Sequence, residues 1–315
     1  MGKRDQKHQA LPAGYQLLDY KIDKVLNSGG FSFVYLAHDA QGNVVAIKEY
    51  LPDKLASRGG DSRVHVSSPD TLVNFRIGLR SFFEEGRALA HINHRNVVRV
   101  LNFFRANETV YMVMQYERGK TLQEYILLHP RPVKEVFVRR MFGELLSGLR
   151  EVHTHKLLHL DIKPTNIYLR HDGSPLLLDF GSVRQTLTDA RPKLPPCYTP
   201  GFAAPEQYVN RKLLGPWSDI YSIGASIYAC LIRSTPVAAD QRLKEDTLQP
   251  ATKIGRGIYS QQLLETVDWC MQLDHMKRPQ SVLTLQKALL DYSPEKPRKK
   301  SLLTELREKL TKAIV

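Results

Sequence analysis

The chain has 315 residues, 42% hydrophobic and 24% charged, with a formal net charge of +13. That balance suits a buried core and a length of about two domains or lobes, and it excludes an intrinsically disordered chain. Three widely spaced cysteines, Cys197, Cys230 and Cys270, form no Cys-x-x-Cys pair, which argues against a disulfide framework or zinc site and for a reducing compartment.

Residues 1–10 are polar, with no apolar stretch behind them to suggest a signal peptide, and Gln6 stands where a myristoylation motif wants Ser or Thr. The longest near-apolar run, 220–232, is shorter than the ~20 residues of a membrane span and reads as a buried helix. A soluble, cytoplasmic protein without a transmembrane segment is expected. The basic residues are scattered and accompany no nucleic-acid-binding signature, so they read as a solvated surface rather than a specific nucleic-acid interface.

In chain order, residues 1–19 read as a tail, and 20–36 as two strands around Asn27-Ser28-Gly29-Gly30-Phe31-Ser32-Phe33-Val34. A glycine-rich turn lets backbone N–H groups approach phosphates, and Asn27 is expected to hold the bend by tolerating a left-handed conformation. Val44-Val45-Ala46-Ile47-Lys48 is an apolar strand ending in a cation that needs a partner. A long connection follows to about residue 73, with a turn at 58–61 and a small alternating strand at 63–66. Phe75, Leu79, Phe82, Phe83 and Leu89 then recur at helical spacing, with Glu84 and Glu85 between them. Strands are expected at 97–104 and 109–116, after which Gly119 frees the chain to turn. Phe137, Met141, Leu145, Leu149 and Val152 make the apolar stripe of the next helix.

That helix leads into His159-Leu160-Asp161-Ile162-Lys163-Pro164-Thr165-Asn166. Runs at 167–169 and 176–178 flank Asp172-Gly173, a hairpin dipeptide, so folding brings Asn166 and Asp179 to one end of a ribbon. Both supply oxygen, the donor a hard cation demands, and Asp161 with Lys163 offers acid/base chemistry beside them. Residues 182–200 are proline-rich and carry Thr186, Thr188, Tyr198 and Thr199. A central helix begins near Trp217, with Ser218 as expected N-cap and Asp219 at its positive end. Helices are expected at 263–273 and 279–290. From Pro294 the chain turns basic, then carries a Leu302, Leu303, Leu306, Leu310, Ile314 stripe, a tail suited to weak membrane or partner contact.

The ordered set of glycine turn, Lys48, Asp161–Asn166 and Asp179-Phe180-Gly181 resembles the protein kinase family over about residues 15–292, and is most similar to bacterial, eukaryotic-like serine/threonine kinases. The resemblance implies an α+β bilobal fold, with a β-rich N-lobe at 20–117, a mostly helical C-lobe at 118–292, and tails at 1–19 and 293–315. It implies an ATP site made by Leu26, Asn27, Ser28, Gly29, Gly30, Phe31, Ser32, Phe33, Val34, Ala46, Lys48, Met114, Gln115, Tyr116 and Tyr168. Met114 falls at the gatekeeper position and residues 115–117 at the hinge. Lys48 would hold the α and β phosphates and pair with Glu85, with Glu84 as the rival. Asp161 would be the base, Lys163 would steady the transferring phosphoryl, and Asn166 and Asp179 would bind Mg²⁺, with Mn²⁺ as an alternative. Thr199 would sit beside Asp161 and Lys163, Glu206 would pair with Arg278, Asp219 would hold the catalytic-loop backbone, and His159 would pack on Phe180.

The implied function is Mg-ATP-dependent phosphorylation of Ser and Thr in protein substrates, the enzyme itself included, in bacterial-type signalling. Three departures stand out. Asn27 and Ser32 occupy the outer positions of the glycine pattern, and Leu160 replaces an arginine that in many kinases binds an activation-loop phosphate. Leucine cannot do so, so activity without that phosphorylation is expected. The rival readings are a non-catalytic scaffold on the same fold, a small-molecule kinase and a basic nucleic-acid-binding module.

Overall fold

A computed structural model describes residues 10–180, 184–185 and 198–291. Readings that concern residues 1–9, Gly181, Thr186, Thr188, Cys197 and the 293–315 tail lie outside the described residues.

The N-lobe is an antiparallel six-stranded sheet in the order β1-β2-β3-β4-β8-β7. Its strands are β1 (Gln16–Leu17), β2 (Tyr20–Ser28), β3 (Ser32–Asp39), β4 (Val44–Tyr50), β7 (Val100–Ala106) and β8 (Thr109–Gln115). In β3 the side chains alternate as a half-buried strand should, with Phe33, Tyr35 and Ala37 inward. β4 does not alternate: residues 45–50 are all buried, so both faces are covered. Helix α1 (Pro69–Leu89) covers one of them.

The sequence sets up that helix at both ends. Thr71 Oγ1 accepts the Ser68 N–H at 3.1 Å, Pro69 opens the first turn, Asp70 lies at the positive end and Arg87 at the negative end. Phe75, Phe82 and Leu89 point inward together with Glu85. The helix thus starts inside the stretch read from sequence as connection. A Cβ on Gly78 would overlap Tyr50 Oη, so the helix lies against β4 at the distance that a glycine permits. Before the helix, β5 (Ala56–Arg58) and β6 (Val64–Val66) pair as a small hairpin.

Residues 10–19, read as tail, belong to the lobe: Leu11 and Leu17 are buried, β1 pairs with β2, and the Leu11 N–H bonds Tyr35 Oη at 3.1 Å. The two apolar side chains are too few and too polar in their surroundings to signal this from sequence.

The C-lobe starts with β9 (Gly119–Thr121), α2 (Leu122–Leu128) and α3 (Glu135–Thr154). β9 joins a three-stranded sheet in the order β12-β11-β9, with β11 at Ile167–Arg170 and β12 at Pro175–Leu177. Gly119 has a different reason from the freedom to turn expected of it. A Cβ there would overlap the Leu169 carbonyl oxygen, so glycine is needed for close approach to β11. A further strand pair joins β10 (Leu157–Leu158) to β13 (Arg184–Gln185). The remaining helices are α4 (Pro205–Val209), α5 (Pro216–Ile232), α6 (Ala239–Arg242), α7 (Ala251–Ile254), α8 (Gln261–Cys270) and α9 (Val282–Leu290).

The α3 stripe buries Met141, Leu145, Leu149 and Val152 against α5 and α9. α5 is buried on nearly all sides, as its near-apolar run 220–232 requires, and its buried Ser218, Asp219, Ser222 and Ser226 are hydrogen-bonded. Among the described residues no helix is long and apolar enough to cross a membrane. Cys230 and Cys270 are free and buried, and burial pushes both thiols up, so neither is a ready nucleophile.

Candidate active site

The upper half of the site is built on β4. Lys48 faces α1, 7% exposed, with Nζ 5.4 Å from the centre of the Phe82 ring. Its nearest carboxylate is Asp179, at 2.6 Å, and Glu85 Oε1 is at 3.6 Å. Glu84, the other candidate partner, instead lies 3.8 Å from Arg87 on the helix surface. Burial alone would push the Lys48 ammonium down, but Asp179 and Glu85 outweigh it and hold it above the usual lysine range. The Lys48 charge keeps Asp179 ionised, at a pKa of about 2. Glu85 goes the other way: burial raises it to about 7, because Lys48 is shared with the closer Asp179, which itself repels a second negative charge.

Around Lys48 the expected nucleotide-facing residues line β2, β3, β4 and β8, except Phe33, whose buried side chain stacks on Tyr35 on the Glu49 face of the sheet, opposite to Lys48. Leu26, Asn27 and Ser28 end β2, while Ser32, Phe33 and Val34 open β3. The Gly29 N–H bonds Ser32 O at 3.0 Å across the turn. Asn27 is not left-handed, as expected from sequence, but sits in the strand opposite Val34, next to a bulge between Val25 and Asn27. The bulge supplies the bend that the asparagine was expected to supply. Ala46 pairs with Met114, and Gln115 ends β8 with its N–H on Arg99 O at 3.0 Å. Tyr116 follows, and Tyr168 on β11 reaches towards the same segment, its hydroxyl 3.4 Å from Glu117 O.

The lower half is the loop 159–166 and the β11–β12 hairpin. Asp172-Gly173 makes the turn, with Gly173 at φ +78° and Asp172 Oδ1 accepting from the Ser174 N–H at 2.9 Å. The Leu178 N–H bonds Asn166 O at 2.9 Å, which joins the loop to the segment carrying Asp179. Asp161 is gripped by its neighbours. Lys163 Nζ donates to Oδ2 at 2.7 Å, Asn166 Nδ2 to the same oxygen at 3.1 Å, and Thr199 Oγ1 to Oδ1 at 2.8 Å. Lys163 also reaches Thr199 Oγ1 at 2.6 Å, closing a triangle across two segments far apart in sequence. These groups and the nucleotide-facing set meet at the Lys48–Asp179 pair.

The donor set fits a hard divalent ion. Asp179 is an anion at neutral pH, and Asn166 commits its Nδ2 to Asp161 O and Oδ2, which leaves the carbonyl Oδ1 as the acceptor end of the amide. Among the described residues no group of three or more His, Cys, Asp or Glu side chains is arranged as a metal site. Two oxygen ligands completed by phosphate and water are what Mg²⁺ accepts.

The loop is held from beneath. Asp219, fully buried at the start of α5, accepts from the His159 N–H at 2.9 Å, the Leu160 N–H at 2.8 Å and His153 Nε2 at 2.7 Å. Burial pushes its pKa up, but the His153 bond, the two imidazoles and the backbone donors together bring it below the usual range. His159 packs on Phe180, ring centres 4.5 Å apart. Its Nε2 lies 3.1 Å from Leu178 O and its Nδ1 accepts the Asp161 N–H at 3.3 Å, a pattern that needs the neutral Nε2–H ring. Burial lowers its pKa accordingly.

Leu160 is buried at φ +61°, a left-handed value rare for leucine, and its carbonyl accepts from Gln207 Nε2 at 2.9 Å. Glu206 meets Arg278 in two bonds of 2.8 and 3.0 Å, and Ser218 Oγ adds a third at 2.7 Å. Ser218 is therefore not the cap of α5. Pro216 takes the first helical position, Gly215 is the cap, and Ser218 Oγ accepts the Gly215 N–H at 3.2 Å. A proline that opens a helix was the overlooked signal.

Other supports were missed from sequence. Glu49, next to Lys48 but on the opposite face of β4, is fully buried and takes hydrogen bonds from Tyr35 and Tyr111 and an ion pair from Arg58. An acid inside an otherwise apolar strand was a visible signal of it. Gln207 and His153 lie in stretches with no distinguishing pattern.

Comparison with known proteins agrees with this geometry. The family model described as "Protein kinase domain" matches residues 20–290. The chain is 30% identical over 244 residues to "Sucrose non-fermenting protein kinase 1" of Fusarium virguliforme, covering 76% of this chain and 31% of that protein. It is 29% identical over 245 residues to "SNF1-related protein kinase catalytic subunit alpha KIN12" of Arabidopsis thaliana, covering 78% of this chain and 44% of that one. The chain thus spans under half the length of these relatives. The solved structure "PpkA-294 apo form" superposes with a TM-score of 0.80 at 35% identity, covering 89% of this chain and 99% of that one. With its curled sheet above a helical lobe and the Lys48–Asp179 pair at their junction, this chain belongs to the protein kinase domain family.

Proposed function

We propose that this protein transfers the γ-phosphoryl group of ATP to Ser or Thr hydroxyls of protein substrates, its own included, as a cytoplasmic enzyme of bacterial-type signalling. One observation carries the reading: Asp161 is held by Lys163, Asn166 and Thr199 beside the hairpin that brings in Asp179 and, through it, Lys48. In this reading the adenine lies between Leu26, Val34 and Ala46 on one side and Tyr168 on the other, with Met114 behind it and the backbone of 115–117 at its edge. Lys48, steadied by Glu85, binds the α and β phosphates under the turn at 28–32. Asn166 and Asp179 would hold Mg²⁺, or Mn²⁺ in its place, which when bound neutralises the charge of the phosphates.

Asp161 then has the decisive role. Its Oδ1, which accepts from Thr199 at 2.8 Å, addresses the incoming Ser or Thr hydroxyl, aligns it and takes its proton. Lys163 offsets negative charge on the transferring group, and Thr199 keeps Asp161 and Lys163 in register. Positioning of this kind, with charge stabilisation, is most of what phosphoryl transfer asks of a protein.

The test is phosphate transfer from labelled ATP with Mg²⁺, wild type beside Asp161→Asn, with mass spectrometry of the product. Transfer to Ser or Thr by the wild type alone supports the reading. Equal transfer by both removes Asp161 from the mechanism, and ATP binding without transfer favours a scaffold.

A further inference from the structure

The turn at 28–32 has less glycine than the family pattern, yet it is not loosely held. The β3–β4 register runs out at Ser32 opposite Tyr50, but hydrogen bonding continues along one arm of the turn. The Leu51 N–H donates to Phe31 O and the Asp53 N–H to Gly30 O, both at 3.0 Å. The peptide bonds here are trans, and a trans peptide points its N–H opposite its C=O. Fixing the Gly30 and Phe31 carbonyls therefore also fixes the directions of the Phe31 and Ser32 N–H groups.

Residues 51–53 are in turn anchored from behind. Leu51 is 1% exposed, the Leu55 and Ala56 N–H groups close a turn on Pro52 O, and the Ser67 N–H bonds Leu55 O. The hairpin that follows is tied to β4 by Arg58 and Glu49. Glu49 also accepts from Tyr35 at 2.6 Å and Tyr111 at 2.5 Å, and Thr109 Oγ1 bonds the Tyr50 carbonyl. A buried carboxylate with this many partners is a rigid point.

We infer that residues 51–53 are a clamp on the phosphate-facing turn, with Glu49 as its buried anchor, and that the backbone N–H groups of Leu51 and Asp53 are positioning elements for the phosphates of ATP. The inference rests on the ATP site proposed above. A turn ordered before binding loses less freedom on binding, so the clamp substitutes for the close approach that more glycines would allow.

Asp53→Pro tests it by deleting one N–H. Position 53 is the second residue of the turn that starts at Pro52, where the φ of proline fits. Asp53→Ala is the control, since it keeps the N–H and removes the carboxylate. Affinities for ATP with Mg²⁺ and for adenosine are measured by calorimetry. The proline variant is expected to weaken ATP roughly three- to tenfold, the worth of one net hydrogen bond, with adenosine unchanged. The alanine variant, which removes a carboxylate lying against Gly30, is expected to bind ATP no more weakly than wild type.

Equal losses for ATP and adenosine, no loss at all, or the same ATP loss in the alanine variant would each overturn the clamp. Failure of the wild type to bind either ligand would remove the ATP site itself, and the clamp with it. Should the proline variant not fold, amide exchange in the wild type decides. Leu51 and Asp53 are expected to exchange as slowly as β4, and rates typical of an open loop would overturn the inference.

Discussion

Lys48 Nζ lies 2.6 Å from Asp179 Oδ1 and 3.6 Å from Glu85 Oε1, so the ion pair that joins the two lobes is the tighter one. In this arrangement one ammonium satisfies two carboxylates, buried Glu85 and half-exposed Asp179, that would otherwise repel each other.

Replacing that ammonium should expose the repulsion. Lys48→Met is expected to keep the fold, as followed by circular dichroism, and to lose phosphoryl transfer by at least about 10²-fold. In the same variant the Asp179 carboxyl should titrate above its present value of about 2, which carboxylate-labelled NMR can follow. Wild-type turnover, or an unmoved Asp179, would contradict this account of the pair.

Glu85 predicts a pH dependence of stability. Its ordinary pKa is 4.5 and its folded one about 7, so the folded state holds the proton more tightly. Its contribution to stability is therefore fully present below about 4.5 and is lost as pH rises through about 7. Glu85→Gln should remove this slope, worth up to about 3 kcal/mol across the window. Denaturant melts of both proteins at pH 5 and pH 7.5 check it, and parallel behaviour would refute it.

The Glu206–Arg278 pair should be costly to break. Arg278 is fully buried and satisfied by Glu206, Gln272 O, Trp217 O and Leu273 O, so removing Glu206 strands a buried cation. Glu206→Ala is expected to destabilise the protein by about 3–5 kcal/mol, read as a fall in the urea midpoint. A change under about 1 kcal/mol would mean that water takes over the role of the carboxylate.

Leu160 predicts independence from activation-segment phosphorylation. Buried against the loop with both backbone groups committed to Asp219 and Gln207, it offers no cation to a phosphate. Protein treated with phosphatase and checked by intact mass should retain most of its activity. A near-complete loss would show that another cation does the work expected of an arginine.

The two-lobe architecture and the cluster around Asp161 were legible because the signals are local. Asp161, Lys163 and Asn166 share one loop, and Asp172-Gly173 announces the hairpin that returns Asp179 to them. Thr199 is a longer reach, read through the family pattern. What escaped depends on which surfaces meet. Glu49 is an acid in an apolar strand whose partners come only from the hairpin that covers its face of β4 and from neighbouring strands, and Gly119 looks like a flexible joint until β11 is laid against it. Leu11 reads as tail because its partner, Tyr35, lies 24 residues further along the chain.

The Glu49 network has a mechanical consequence. The β5–β6 hairpin, residues 10–17 and the turn between β7 and β8 all converge on it, through Arg58, through Leu11 on Tyr35, and through Asn107, whose carbonyl takes the Val64 N–H and whose amide takes Tyr15 and gives to Tyr111. A cut at the exposed tip between Gly59 and Gly60 would sever the chain but none of these bonds. The two fragments should therefore stay together as a nicked, native-like lobe, separating on a denaturing gel but not on a sizing column.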